Sequence, residues 1–215
     1  MNKKEKIIRI LLTSLIVLSY IGLEAVLHLN VENLNLFRSL IKAGIGIFSL
    51  LLSVLSLIRH KNPYSVILFL VIALFMAADI SINYSFLAGG GIFALGHLIL
   101  LIYFLRHDKL TKYSFLAAGI SFACFLVVIL IFDRSNIPLM IMLLLYALLI
   151  SFLFGSSIKE KLSIRIGILV FVISDALLMV NIGLGANIIL GHFARGVYYL
   201  SIILLGNTYR EEIKG

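Results

Sequence analysis

Beyond Arg9 the chain is a succession of apolar runs parted by short connections that hold most of its charge. A bilayer core of about 30 Å is crossed by about 20 helical residues, which sets the length to look for. Eight windows meet it, at roughly 7–29, 36–58, 65–83, 90–105, 113–132, 137–154, 164–182 and 187–206. Barrel strands alternate apolar and polar residues over segments of about ten, and these runs do not alternate. Lipid gives backbone N–H and C=O groups no partner, so continuous apolar runs of this length must bond internally as helices. The sequence therefore predicts an all-α, polytopic membrane protein of eight transmembrane helices, with residues 1–215 forming a single transmembrane domain.

Composition agrees, since 62% of residues are hydrophobic and 13% charged, far from the balance of a globular domain. The opening MNKKEKIIR has the character of a signal peptide's positive region, but the apolar stretch from Ile7 is longer than a cleaved segment, so it is expected to stay as the first span. The formal charge of +8 raises the question of nucleic acid. There is no long block of like charge and no interleaving of aromatics with basic residues, so no nucleic-acid partner is expected. Cys124 is the only cysteine; it supports no disulfide framework or thiolate metal site and reads as a small buried packing residue.

The basic residues fall in alternate connections: Lys3, Lys4, Lys6 and Arg9; Arg59 and Lys61; Arg106, Lys109 and Lys112; Lys159, Lys161 and Arg165; Arg210 and Lys214. The intervening connections hold only Arg38 and Arg134. Positive residues accumulate on the cytoplasmic side, so both termini are expected there, in a multi-pass protein of the cell membrane.

An offset of 96 aligns Arg38-Ser39 with Arg134-Ser135, Asp79 with Asp175 and Tyr103 with Tyr199. His97 and His192 follow their aspartates by 18 and 17 residues. Two four-helix halves with chemistry at their interface would produce this pattern, and so would chance similarity between apolar helices.

Ionisable residues inside spans are costly unless paired or used. Here they are Glu24, Lys42, Asp79, His97, Asp175 and Arg195, with His28 and His192 nearer span ends. At about 1.5 Å of rise per residue, Asp79 lies about 21 Å and Asp175 about 16 Å from the cytoplasmic edge, and Lys42, His97 and Arg195 about 9 to 12 Å from the other. One pocket between the midplane and the non-cytoplasmic face would hold them all. Two readings compete. The charges are structural ion pairs locking the bundle, or two carboxyls in unequal surroundings divide the roles of proton donor and base.

The remaining polar residues read more simply. Gly96 and the Gly89-Gly90-Gly91 run, taken as flexible, favour His97 as a site residue over an interior histidine. Of Tyr198 and Tyr199, one is expected to pack and the other to hydrogen-bond into the site. Asn83 and Asn181 read as helix caps, His60 and His107 as solvated, and Glu24 as a structural partner of Lys42.

The stretches ADISINYSFLAGGGIFALGHLILLIYF (78–104), GILVFVISDALLMVN (167–181) and RGVYYLSIILLG (195–206), with Lys42 in the second span, resemble the lysoplasmalogenase family of eight-span membrane proteins, also called the YhhN family. The resemblance rests on Asp79, Phe86, Gly91, Phe93, His97, Ser174-Asp175 and Tyr198-Tyr199; Ala78 stands where that family commonly has Gly, and Lys42 lacks the Pro that often follows it there. It implies an ether hydrolase acting on a lysophospholipid within membrane lipid, with no cofactor and no metal. The vinyl ether bond would yield a fatty aldehyde and a glycerophospho-alcohol, with Asp79 and Asp175 as the catalytic acid and base.

The residue chemistry suits that reaction. Protonating the β-carbon of a vinyl ether gives an oxocarbenium ion that water captures, and two carboxyls serve the same type of cation in glycoside hydrolysis. Lys42 and Arg195 are expected to hold the phosphodiester, His97 to orient a carboxyl or the water, and Asp175 is preferred as the acid. Two rivals use the same residues. A proton-coupled or small-molecule transporter would be favoured by broken helices, but the spans show no paired Gly/Pro interruption, and Pro63 and Pro138 both lie at span edges. A metal hydrolase would draw on His97, His192 and the aspartates, without any HxxxH or HExxH spacing.

Overall fold

The computed structural model describes residues 3–27, 34–130, 137–183, 185 and 187–208. Among them are eight α-helices and no strand: α1 (Lys3–Leu27), α2 (Leu34–His60), α3 (Pro63–Ser81), α4 (Phe86–His107), α5 (Lys112–Ile129), α6 (Ile137–Ser157), α7 (Leu162–Gly183) and α8 (Ile188–Gly206). Each is long and apolar enough to cross a membrane, so the chain is a multi-pass integral membrane protein. His28, Arg134, Ser135, Arg210 and Lys214 lie outside the described residues.

The ends follow local rules. Asn62 caps α3 by accepting the Ser65 amide at 2.9 Å, and Pro63 takes the first helical position, where a missing N–H costs nothing. Thr111 and Ser114 form a reciprocal capping box at the start of α5. Pro138 is likewise in the first turn of α6. Residues 89–91 run inside α4 and are not a flexible break. A side chain at Gly89 would meet the Ile82 backbone at 2.8 Å, so this glycine lets the start of α4 close onto the end of α3.

The chain forms two compact units, one reaching to Ile99 and resuming at Ile202, the other running Leu100–Ser201. In the first, α2 packs against both α1 and α3. Its buried stripe is mostly small and polar, with Ser39, Lys42, Gly46, Ser49, Ser53 and Ser56 spaced three or four apart on one face. Apolar burial gives little advantage between helices in lipid, where close approach of small residues and interhelical hydrogen bonds hold helices together. Gly46 shows this, because the Met76 side chain of α3 fills the place a β-carbon would take. At one end of the unit, Arg9 reaches Ser56 and Asn207 at 3.2 Å each, Arg59 meets Glu5 at 3.0 Å, and Tyr64 meets Thr208 at 3.1 Å.

In the second unit α5, α6 and α7 pack on one another. Ala147, Ser151 and Gly155 repeat every four residues along α6, the small-residue spacing that lets two backbones approach. Ser151 donates to Ser121 at 3.2 Å, and Gly155 lies against the Ser114 carbonyl and the Ala118 side chain. Cys124 on α5 is exposed, not buried as its apolar setting suggested. A span is apolar on its lipid face as well as its packed face, so an apolar neighbourhood does not report burial.

Candidate active site

Asp79 occupies the last turn of α3, where its Oδ1 lies 2.9 Å from the Lys42 ammonium of α2. The same ammonium donates to the Asp79 carbonyl and to Asn83 Oδ1, each at 2.9 Å. These acceptors account for all three N–H groups of a lysine. Both side chains are withdrawn, at 3% exposure for Lys42 and 13% for Asp79. Gly46 sits one turn from Lys42 and Met76 nearly one turn from Asp79, so the close approach of α2 and α3 brings the pair within reach.

Asn83 does more than cap a helix. Its Nδ2 donates to Ser39 Oγ at 2.9 Å while its Oδ1 accepts from Lys42, and Ser39 donates onward to the Asn35 carbonyl at 2.7 Å. The amide is thereby oriented from both ends, and the ion pair sits in a network of hydrogen bonds reaching back into α2.

His97, on α4, is buried, with its ring 4.8 Å from that of Phe75. Phe75 also touches Phe93 at 5.5 Å, and it precedes Asp79 by one helical turn on the same face of α3. Gly96 is what admits it, because a β-carbon there would lie 2.7 Å from the Phe75 ring. His97 thus stands in an aromatic wall beside the face of α3 that carries Asp79.

In the second unit Asp175 is buried near the middle of α7 and accepts a hydrogen bond from the Tyr146 hydroxyl of α6 at 2.9 Å. The preceding Ser174 donates to the Ala194 carbonyl of α8 at 3.0 Å, which fixes the rotation of α7 at this level. One turn earlier on α7, Phe171 meets the Tyr198 ring edge-on at 5.5 Å, and Tyr198 touches buried Tyr199 at 4.9 Å. Tyr198 thus reaches α7 one turn from Asp175, and Tyr199 packs on Tyr198.

Arg195 and His192 lie one turn apart on α8, with Arg195 Nη2 3.0 Å from His192 Nδ1. A guanidinium can only donate, so Nδ1 accepts and the histidine proton sits on Nε2. Gly191 lies beside this pair, and a β-carbon there would be 3.3 Å from both Arg195 Nη1 and Asn181 Nδ2.

The helices correspond at the offset of 96, α1 to α4 overlapping α5 to α8 in order. Each aspartate is met from the helix before it, Asp79 by a cation on α2 and Asp175 by a phenol on α6. Tyr146 is the residue sequence reasoning passed over, while along the sequence Asn83 reads only as a cap and Ser39 and Ser174 only through the repeat and the family motif. The only signal for Tyr146 is a single hydroxyl within the apolar run of α6 that precedes Ser151. Among the described residues no group of three His, Cys, Asp or Glu side chains converges in a way that would hold a metal ion.

Residues 37–208, from the first turn of α2 to just beyond α8, match the family model described as the YhhN family. No curated protein and no solved structure matches the chain.

Proposed function

Because the chain belongs to the YhhN family, which corresponds to the lysoplasmalogenase family, we propose that it hydrolyses the vinyl ether bond of a lysophospholipid. The observation that carries this reading is the contrast between the aspartates: an ammonium partner for Asp79, a phenol for Asp175. An ion pair suits a carboxylate that receives a proton, whereas a hydroxyl can serve a carboxyl that delivers one.

Asp175 is the acid in this mechanism and Asp79 the base. A proton from Asp175 adds to the vinyl β-carbon, the π pair forms the new C–H bond, and positive charge settles on the carbon bonded to oxygen. Water attacks that carbon while Asp79 takes its proton. The resulting hemiacetal collapses to a fatty aldehyde and a glycerophospho-alcohol, as the leaving oxygen regains a proton. The same division between two carboxyls operates on the oxocarbenium ions of sugar chemistry.

Lys42 shifts in role. With its donors directed to Asp79 and Asn83, it serves as the counter-ion of the base, and the phosphodiester falls to the planar fork of Arg195. His97, Tyr198 and Tyr199 line the lysolipid, whose tail lies among apolar helices. The protein acts in the cell membrane with both termini in the cytoplasm, as the alternation of basic residues supports.

The test is a lysolipid panel against purified protein, with vinyl ether, alkyl ether and ester chains on choline and ethanolamine headgroups and mass detection of products. Aldehyde released from the vinyl ether alone is the expected result. Cleavage of esters alone, or no cleavage together with solute flux in vesicles, would replace this reading with a lipase or a transporter.

A further inference from the structure

The hydroxyl of Tyr146 is the sole polar group of α6 before Ser151. A phenol carried into lipid needs a hydrogen-bond partner, and Tyr146 finds one in Asp175 Oδ2 at 2.9 Å. Both helices are anchored beside the pair. α6 is seated against α5 through Ser151, which is bonded to Ser121, and Gly155, on a face that begins with buried Ala147, the residue after Tyr146. α7 is tied to α8 through Ser174, the residue before Asp175. Rotation of α6 or α7 about its axis would break one of these contacts.

We propose that Tyr146 is a positioning residue for the reaction: it occupies Oδ2 of Asp175, leaves Oδ1 as the oxygen that delivers the proton, and stabilises the carboxylate that forms. This rests on the reaction proposed above. As the proton passes from Oδ1 to the vinyl carbon, negative charge grows on Asp175, and a neutral hydrogen bond becomes a charge-assisted one. Charge-assisted bonds are shorter and stronger, so the contact tightens in the transition state and not in the bound substrate. Its loss should therefore appear in kcat and hardly in KM.

Tyr146→Phe removes the hydroxyl and keeps the ring. The expected outcome is a fall in kcat of about ten- to a hundredfold, smaller than for a lost oxyanion-hole donor, with KM within about twofold. A second readout is independent of turnover: the infrared band of the Asp175 carboxyl, assigned by its absence in Asp175→Asn, should shift in Tyr146→Phe. Wild-type kcat in Tyr146→Phe, or an equal loss in kcat/KM carried wholly by KM, would overturn the inference. So would an unshifted carboxyl band. If wild-type protein releases no aldehyde from any lysolipid, the proposed reaction fails instead, and the infrared band alone decides whether Tyr146 holds Asp175.

Discussion

Lys42 on α2 and Asp79 on α3 form an ion pair at 2.9 Å, and the same ammonium also takes the Asp79 carbonyl and the Asn83 side chain. Three acceptors around one lysine leave little slack in its position. The pair joins two helices as well as setting the charge beside a proposed catalytic residue, so stability and activity can be separated by mutation.

Breaking such a pair from one side strands a buried charge, at a cost of about 3–5 kcal/mol. Lys42→Met should therefore lower the thermal midpoint sharply, while Lys42→Met combined with Asp79→Asn should recover much of it. Neither variant should release aldehyde. Unfolding in detergent, followed beside turnover, checks this, and a double variant as unstable as Lys42→Met would contradict it.

Asn83→Ala removes one acceptor from Lys42 and the donor to Ser39. Interhelical hydrogen bonds in membranes are worth about 0.6 kcal/mol on average, and about 1–2 kcal/mol at most. The variant should fold with a modest loss of stability, of about 1 kcal/mol, and should lower kcat more than that loss implies because Lys42 gains freedom beside Asp79. Turnover equal to wild type would assign Asn83 to packing alone.

Glycine positions on α5 and α6 give a packing test free of charge effects. A β-carbon at Gly155 would run into the Ser114 carbonyl and Ala118, whereas one at Gly119 meets nothing within 4 Å. Gly155→Ala should destabilise by about 1–3 kcal/mol, as overpacking does. Gly119→Ala should be neutral or stabilise by up to about 1 kcal/mol through helix propensity. Melting curves that rank the two variants the other way would rule out the close α5–α6 contact.

The chemistry has its own isotopic signature. Proton delivery to the vinyl β-carbon in heavy water should leave one deuterium on the carbon next to the aldehyde, and water labelled with heavy oxygen should mark the aldehyde and not the glycerol. Mass analysis of promptly trapped aldehyde reads both. Label in the glycerol fragment would mean cleavage on the other side of the ether oxygen.

Most of the fold was legible because run length against bilayer thickness is a strong constraint, and the eight helices fall close to the eight apolar windows. Rotation about each helix axis was not. In water the apolar stripe marks the packed face, but in lipid both faces are apolar, and so Cys124 read as buried when it is exposed. Asp79 and Asp175 stood out because an intramembrane carboxylate is expensive. Their partners did not stand out equally. Lys42 announced itself by charge, whereas Tyr146 looks like any packing aromatic until α6 is set against α7. Asn83 reads as a cap along the sequence, and only the return of α3 alongside α2 puts its amide between Lys42 and Ser39. The glycines at 89–91 misled for the opposite reason: they suggested a break, but Gly89 serves close contact with Ile82 within a continuous turn and helix.

Aldehyde release from a vinyl ether lysophospholipid by wild-type protein, Asp79→Asn and Asp175→Asn tests the acid–base account most directly. General acid or base catalysis contributes about 10²- to 10⁴-fold, so each single variant should fall by at least about a hundredfold, with Asp79→Asn also less stable because it strands the Lys42 charge. Full activity in both variants would contradict it.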